Sequence, residues 1–93
     1  MAVIHPKNIA VRMKTIKGWK YSGNKIIRVF IKKDFVQALN FVQSVAFLAE
    51  KMNHHPDITI RWNTVTLVLS THSEGGVTEK DFELAANINK LQK

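Results

Sequence analysis

From Asp34 to Pro56 the apolar residues fall three and four positions apart, and a proline then closes the pattern. Phe35, Ala38, Val42, Val45, Ala46, Ala49 and Met52 share one stripe of a helix. Asp34, with Gln37 three residues on, is a variant of the capping box and starts that helix at Phe35. Pro56 disfavours helical geometry at His55, so the helix is expected to end near Asn53. A helix with a single apolar stripe must bury it against another layer, and this requirement limits the folds open to the chain.

The flanking segments supply that layer. "GWKYSGNKIIRVFI" reads as a hairpin: Trp19 and Tyr21 suit a strand, Ser22-Gly23-Asn24 gives turn chemistry, and Ile27, Val29 and Ile31 alternate with Arg28 and Phe30. "DITIRW" and "TVTLVLST" are alternating strands joined at Asn63-Thr64. Gly75-Gly76 marks a loop. Thr78, with Asp81 three residues on, caps a last helix with Leu84, Ala85, Ile88 and Leu91 on its inner side. Residues 7–16, "KNIAVRMKTI", form a short amphipathic helix ahead of the first hairpin. The order α-β-β-α-β-β-α predicts an α+β fold, a four-stranded antiparallel sheet with helices packed on one face. Residues 1–93 are expected to form one domain.

A chain of 93 residues has a thin core, which oligomerisation would help. Without cysteine it has no disulfide framework, thiol nucleophile or cysteine-bound zinc, which fits a cytoplasmic protein. No signal peptide or membrane span is expected, because "MAVIHPKNIAV" breaks its apolar run at His5, Pro6 and Lys7. Residues 1–33 carry nine Lys or Arg and no acid, whereas residues 34–93 carry five basic and seven acidic residues. Such an arm suits nucleic acid or an anionic partner. No recognition-helix pattern accompanies the charge, so a solvated basic face is the simpler reading and nucleic acid the less favoured partner.

The segment "EKMNHHPD" sets His54 and His55 side by side at the helix exit. If Asn63-Thr64 is a two-residue loop, Trp62 faces Val65, Asp57 faces Ser70, and the same register carries His55 opposite His72. Glu50, one helical turn before His54, is placed to orient it. Three histidines and a carboxylate are thus expected at one sheet edge, while His5 receives no role. Isolated histidines are usually surface or satisfied core residues, and convergence of three argues against that. Metal binding wants well-spaced donors and a fourth ligand, and no His-x-x-x-His is present. Ser70 and Ser73 flank His72 without the glycine pattern of a hydrolase nucleophile. General acid–base chemistry fits best, since imidazole both gives and takes protons near neutral pH.

The spacing Glu50, three residues, His54-His55-Pro56, five residues, Trp62, nine residues, His72, eight residues, Asp81 resembles the pattern of the pterin-4a-carbinolamine dehydratases. "IIRVF", "KDFVQALNFV" and "THSEGGVTEKDFELA" extend the resemblance over most of the chain. Ile58 departs from it, standing where many members carry an aromatic. The resemblance implies dehydration of 4a-hydroxytetrahydropterin to quinonoid dihydropterin and water, in the recycling of the pterin used by aromatic amino acid hydroxylases. It implies no metal or organic cofactor, and assembly as a homodimer or homotetramer. His54 and His72 match the family's principal acid–base pair and His55 its third site histidine. Asn53, Ser70, Thr71 and Ser73 match positions that line the pterin, with Glu50 and Asp81 as supporting carboxylates. The competing class is a non-enzymatic module that binds nucleic acid or protein through the basic arm.

Overall fold

A computed structural model describes residues 2–92 and contains the expected elements in the expected order. They are α1 (Pro6–Met13), β1 (Lys20–Ser22), β2 (Lys25–Ile31), α2 (Phe35–Met52), β3 (Asp57–Arg61), β4 (Thr64–Leu69) and α3 (Glu79–Asn89). A single 3-10 turn, His72–Glu74, precedes α3. The strands form one antiparallel sheet in the order β1-β2-β4-β3, so β3 occupies an edge. Helix α2 starts as its sequence dictates, with Asp34 Oδ1 accepting the Gln37 N–H at 2.8 Å. It ends where Asn53 turns left-handed at φ 50°, ψ 45°. There the His54 N–H donates to the Ala49 carbonyl and the Asn53 N–H to that of Glu50. These two bonds satisfy carbonyls that a helix end otherwise leaves open.

The core lies between one sheet face and the helices. Ile26 and Phe30 of β2 and Val65, Leu67 and Leu69 of β4 are buried against Ala38, Phe41, Val45 and Ala49 of α2 and Leu84, Ala85 and Ile88 of α3. The alternation read in β2 is present, but its buried set is Ile26 and Phe30. Val29 and Ile31 lie on the opposite face, 53% and 75% exposed. The α2 stripe is likewise rotated from the expected one. Phe41 enters the core, its ring 4.7 Å from that of Phe30, while Phe35 and Ala46 are exposed.

The second hairpin corrects the expected register by two residues. Arg61 pairs with Thr64 and Asp57 with Val68, so the loop is Trp62-Asn63 and His55 does not oppose His72. The reason lies on the neighbouring strand. Asn63 accepts the Lys32 N–H at 2.8 Å through its own carbonyl and donates from its side chain to the Lys32 carbonyl at 2.9 Å. Locked to Lys32, Asn63 carries the β2–β4 ladder one residue further, and the bend falls on Trp62 at φ 51°.

Three of the nine basic residues in the arm are held by contacts within the molecule. Arg28 donates to Asn89 Oδ1 at 2.7 Å and to the Lys17 carbonyl at 2.9 Å, and its guanidinium lies 4.5 Å from the Phe30 ring. Trp19, expected in β1, instead precedes it, buried, and donates to the same Asn89 oxygen at 2.8 Å. Gly18 is required here: its φ is +88°, and a Cβ would stand 2.6 Å from Arg28 Nε. Lys32 lies over Phe41 at 4.1 Å, and burial, then Arg28, pushes its ammonium below the usual lysine range. Arg12 binds Glu79 through both carboxylate oxygens, which joins α1 to the start of α3.

The hydrogen bonds from Arg12 hold the Glu79 carboxyl below its ordinary range. A carboxylate with a lowered folded-state value stabilises above its unfolded value, and loses that contribution as pH falls through the folded one. Because the pair is exposed, it is worth less than about 1 kcal/mol. Urea titrations of wild type and Glu79→Gln should differ by that amount at neutral pH and low salt. The difference should vanish at acid pH or in 1 M salt.

Candidate active site

The end of α2, the segment after β4 and the start of α3 meet around one carboxylate. Asp81 has no solvent exposure, and all its hydrogen bonds come from these three places. Oδ1 lies 2.5 Å from His54 Nε2. Oδ2 accepts the Thr71 hydroxyl at 2.9 Å and the Thr78 N–H at 2.8 Å. Since the Thr71 proton goes to Asp81, Thr78 donates to the Thr71 oxygen at 2.8 Å. Burial of a carboxylate is costly unless several donors replace its water, and here three do.

The left-handed Asn53 turns His54 inward, where its side chain is 10% exposed, and the next residue outward. His55 lies against the flank of α2, its Nε2 2.5 Å from Glu50 Oε2, with both side chains largely exposed. The two carboxylates therefore serve different histidines. Asp81 orients His54, and Glu50, expected at His54, reaches His55. The four-residue spacing was a sound guide within the helix, but His54 lies beyond the turn that ends it.

With Asp81 on Nε2, the remaining ring nitrogen of His54 is Nδ1, which has no hydrogen-bond partner among the described residues. No buried side-chain nitrogen or oxygen among the described residues lacks a hydrogen bond, so Nδ1 reaches solvent. The arrangement thus fixes one nitrogen against a carboxylate and leaves the other for chemistry.

His72 is exposed in the 3-10 turn. It lines a hollow of about 220 Å3 with Ser70, Asn24, Lys25, Gly75 and Gly76. Its connection to His54 runs through its neighbour Thr71, which bonds to Asp81, rather than across a strand pair. Of the residues expected to line a ligand, Asn53 and Ser73 are exposed, Ser70 is half-buried, and Thr71 turns its hydroxyl to Asp81. His5 caps α1, its Nδ1 accepting the Lys7 N–H at 3.1 Å. In the sequence Thr78 stands as a helix cap. Its cap partner is Asp81, so the capping pattern itself pointed to the site. Among the described residues no three histidine or carboxylate side chains are arranged to hold a metal ion. A larger open groove of about 750 Å3 runs along α1, where His5 accepts from the Lys7 N–H and Glu79 is bound by Arg12.

Removing the buried carboxylate should be costly. Asp81→Ala strands Thr71, Thr78 and His54 without their acceptor, and should lower stability by about 2–4 kcal/mol in urea denaturation. Glu50→Ala, at an exposed pair, should stay within about 0.5 kcal/mol of wild type.

Comparison with known proteins follows the same lines. A family model described as Pterin 4 alpha carbinolamine dehydratase matches residues 2–91. A protein of Sulfolobus acidocaldarius named "Putative pterin-4-alpha-carbinolamine dehydratase" is 52% identical over 81 residues, covering 87% of this chain and 89% of the relative. One of the same name from Roseiflexus castenholzii is 49% identical over 90 residues, covering 97% of each chain. The crystal structure of a transcriptional coactivator/pterin dehydratase from Brucella melitensis superposes with a TM-score of 0.93 at 33% identity, covering 98% of this chain and 99% of the other. A pterin dehydratase-like protein, described as a RuBisCO assembly factor in the alpha-carboxysome, shares the fold at a TM-score of 0.64 and 20% identity. That match covers 78% of this chain and 84% of the other.

Proposed function

Because the chain belongs to the pterin 4α-carbinolamine dehydratase family, we propose that it dehydrates a 4a-hydroxytetrahydropterin by histidine acid–base catalysis. The observation that carries this reading is His54, held at Nε2 by a buried carboxylate and open at Nδ1. The reaction breaks the bond between C4a and its hydroxyl oxygen. One proton joins that hydroxyl, which leaves as water, and another leaves a ring N–H whose electrons form the new C=N bond. Nothing is oxidised or reduced, so the reaction requires only groups that give and take protons. His54 Nδ1 removes the ring proton, and Asp81 stabilises the imidazolium that results. His72, exposed in its turn, delivers the proton to the leaving hydroxyl, while His55 and the Ser70–Ser73 segment hold the pterin. The reading includes a metal-free, cofactor-free enzyme in the cytoplasm, assembled from identical subunits and serving recycling of a tetrahydrobiopterin-type cofactor.

A binding module acting through the basic arm is the competing reading. It is weakened because Arg12, Arg28 and Lys32 are already engaged by Glu79, by Asn89 and Phe30, and by Phe41. Six arm lysines remain exposed without a recognition element. Filter binding to DNA and RNA at two salt concentrations separates the readings. Salt-sensitive micromolar affinity without dehydratase activity would favour the module, since phosphate contacts weaken steeply with salt.

His54→Ala and His72→Ala should each lower kcat by about 100-fold or more, measured at short times against the spontaneous reaction. The double variant should lose less than the product of the two, because both groups act on one transition state. Their stabilities should differ. His54→Ala deprives buried Asp81 of a partner and costs about 1–3 kcal/mol, whereas His72→Ala is nearly neutral. Wild-type activity in the double variant would remove the acid–base assignment. Dialysis against a chelator should leave activity unchanged.

A further inference from the structure

Trp62 is 67% exposed at the tip of the β3–β4 hairpin and has φ 51°, a backbone that large side chains seldom adopt. No packing within the chain explains a tryptophan there. Along β3 it stands about 20 Å from Pro56, well away from the histidines of its own chain.

The strand between them has a free edge whose bonding pattern is fixed. The Lys32–Asn63 hydrogen bond puts the odd residues of β4 on the β2 side, so its even residues bond to β3. Thr64, Thr66 and Val68 oppose Arg61, Thr59 and Asp57. Ile58 and Ile60 therefore point their N–H and C=O groups outward, unpaired, as edge strands do. Two copies joined antiparallel about a two-fold axis at Thr59 would set each Ile58 opposite the partner's Ile60 and satisfy all of these groups. The same register sets Asp57 opposite the partner's Arg61, twice, at close non-hydrogen-bonded positions where side chains interact most. Shifting it by one step of the ladder in either direction loses both charge pairs.

We propose that two copies of this chain pair along β3 in this register, and that Trp62 of each thereby walls the histidine site of the other. In this arrangement Trp62 lies opposite the partner's Pro56, beside the partner's His55 and His54. The proposal rests on the reading of those histidines as a pterin site. Within one chain every side chain assigned to that site is polar or a histidine. A planar heterocycle needs a flat apolar surface as well, and an indole from the partner supplies it. The site is then complete only in the dimer.

The chain has no cysteine, so introduced ones report on the pairing directly. Thr59→Cys should give a covalent dimer on mild oxidation, because its two copies meet at the axis, while Arg61→Cys should not. A Pro56→Cys chain mixed with a Trp62→Cys chain should be joined by a short bismaleimide. Failure of either cross-link overturns the pairing, whatever the activity. Asp57→Arg and Arg61→Asp chains each bring like charges together and should be monomeric where wild type is dimeric. Mixed, they restore both pairs and form a heterodimer. Trp62→Ala should raise KM about tenfold by loss of stacking. Placing His54→Ala on one chain of the heterodimer and Trp62→Ala on the other should leave one intact site and about half the activity. Both substitutions on the same chain should damage both sites. The reverse pattern would return Trp62 to its own chain's site and overturn the proposal. An inactive wild type would remove the dehydratase reading alone, since the cross-links decide the pairing without it.

Discussion

Asp81 is the group on which this small structure turns. A carboxylate with no exposure persists only where donors replace its water, and here each donor comes from a different part of the chain. The Thr78 N–H caps the start of α3, the Thr71 hydroxyl anchors the segment leaving β4, and the His54 imidazole marks the exit from α2. The interaction that starts α3 is thus the one that orients the histidine. The helix cap and the orientation of His54 share one set of bonds, so a substitution there alters both together.

The second constraint is the left-handed residue that ends α2. Had the helix continued, His54 and His55 would have stayed on neighbouring faces, with Glu50 below His54. The reversal at Asn53 divides them between two environments, one against a buried carboxylate and the other beside an exposed one. Adjacent histidines in a sequence are easily taken as equivalent. Here they differ in burial and in partner, one held by a buried carboxylate and the other lying on the surface.

Most of the fold was legible because its signals are local. The Asp34 and Thr78 caps, the stop before Pro56 and the alternation in the strands each depend on a few neighbouring residues, and each marks an element that is present. The errors came where a distant partner decided the outcome. The hairpin bend was misplaced by one residue because Lys32, 31 residues away in the sequence, claims Asn63. The face of β2 that is buried depends on Phe41, and the partner of His54 on α3 rather than on its own helix. Asp81 itself was named through family resemblance. Its capping pattern with Thr78 showed where it would be held, but not what else it would hold.

The ties between Trp19 and Asn89, Arg28 and Asn89, and Arg12 and Glu79 join residues that are far apart in the sequence. Contacts of such long separation are slow to form, since each closes a large loop before it is rewarded. On the ribosome α3 is made after every strand and after α2, so the part of the core that α3 completes stays open until that helix emerges. His54 has no carboxylate to orient it until then. The His54–Asp81 geometry is therefore among the last features a newly made chain acquires, and the incomplete core in the interval is the state most open to aggregation and to capture by chaperones.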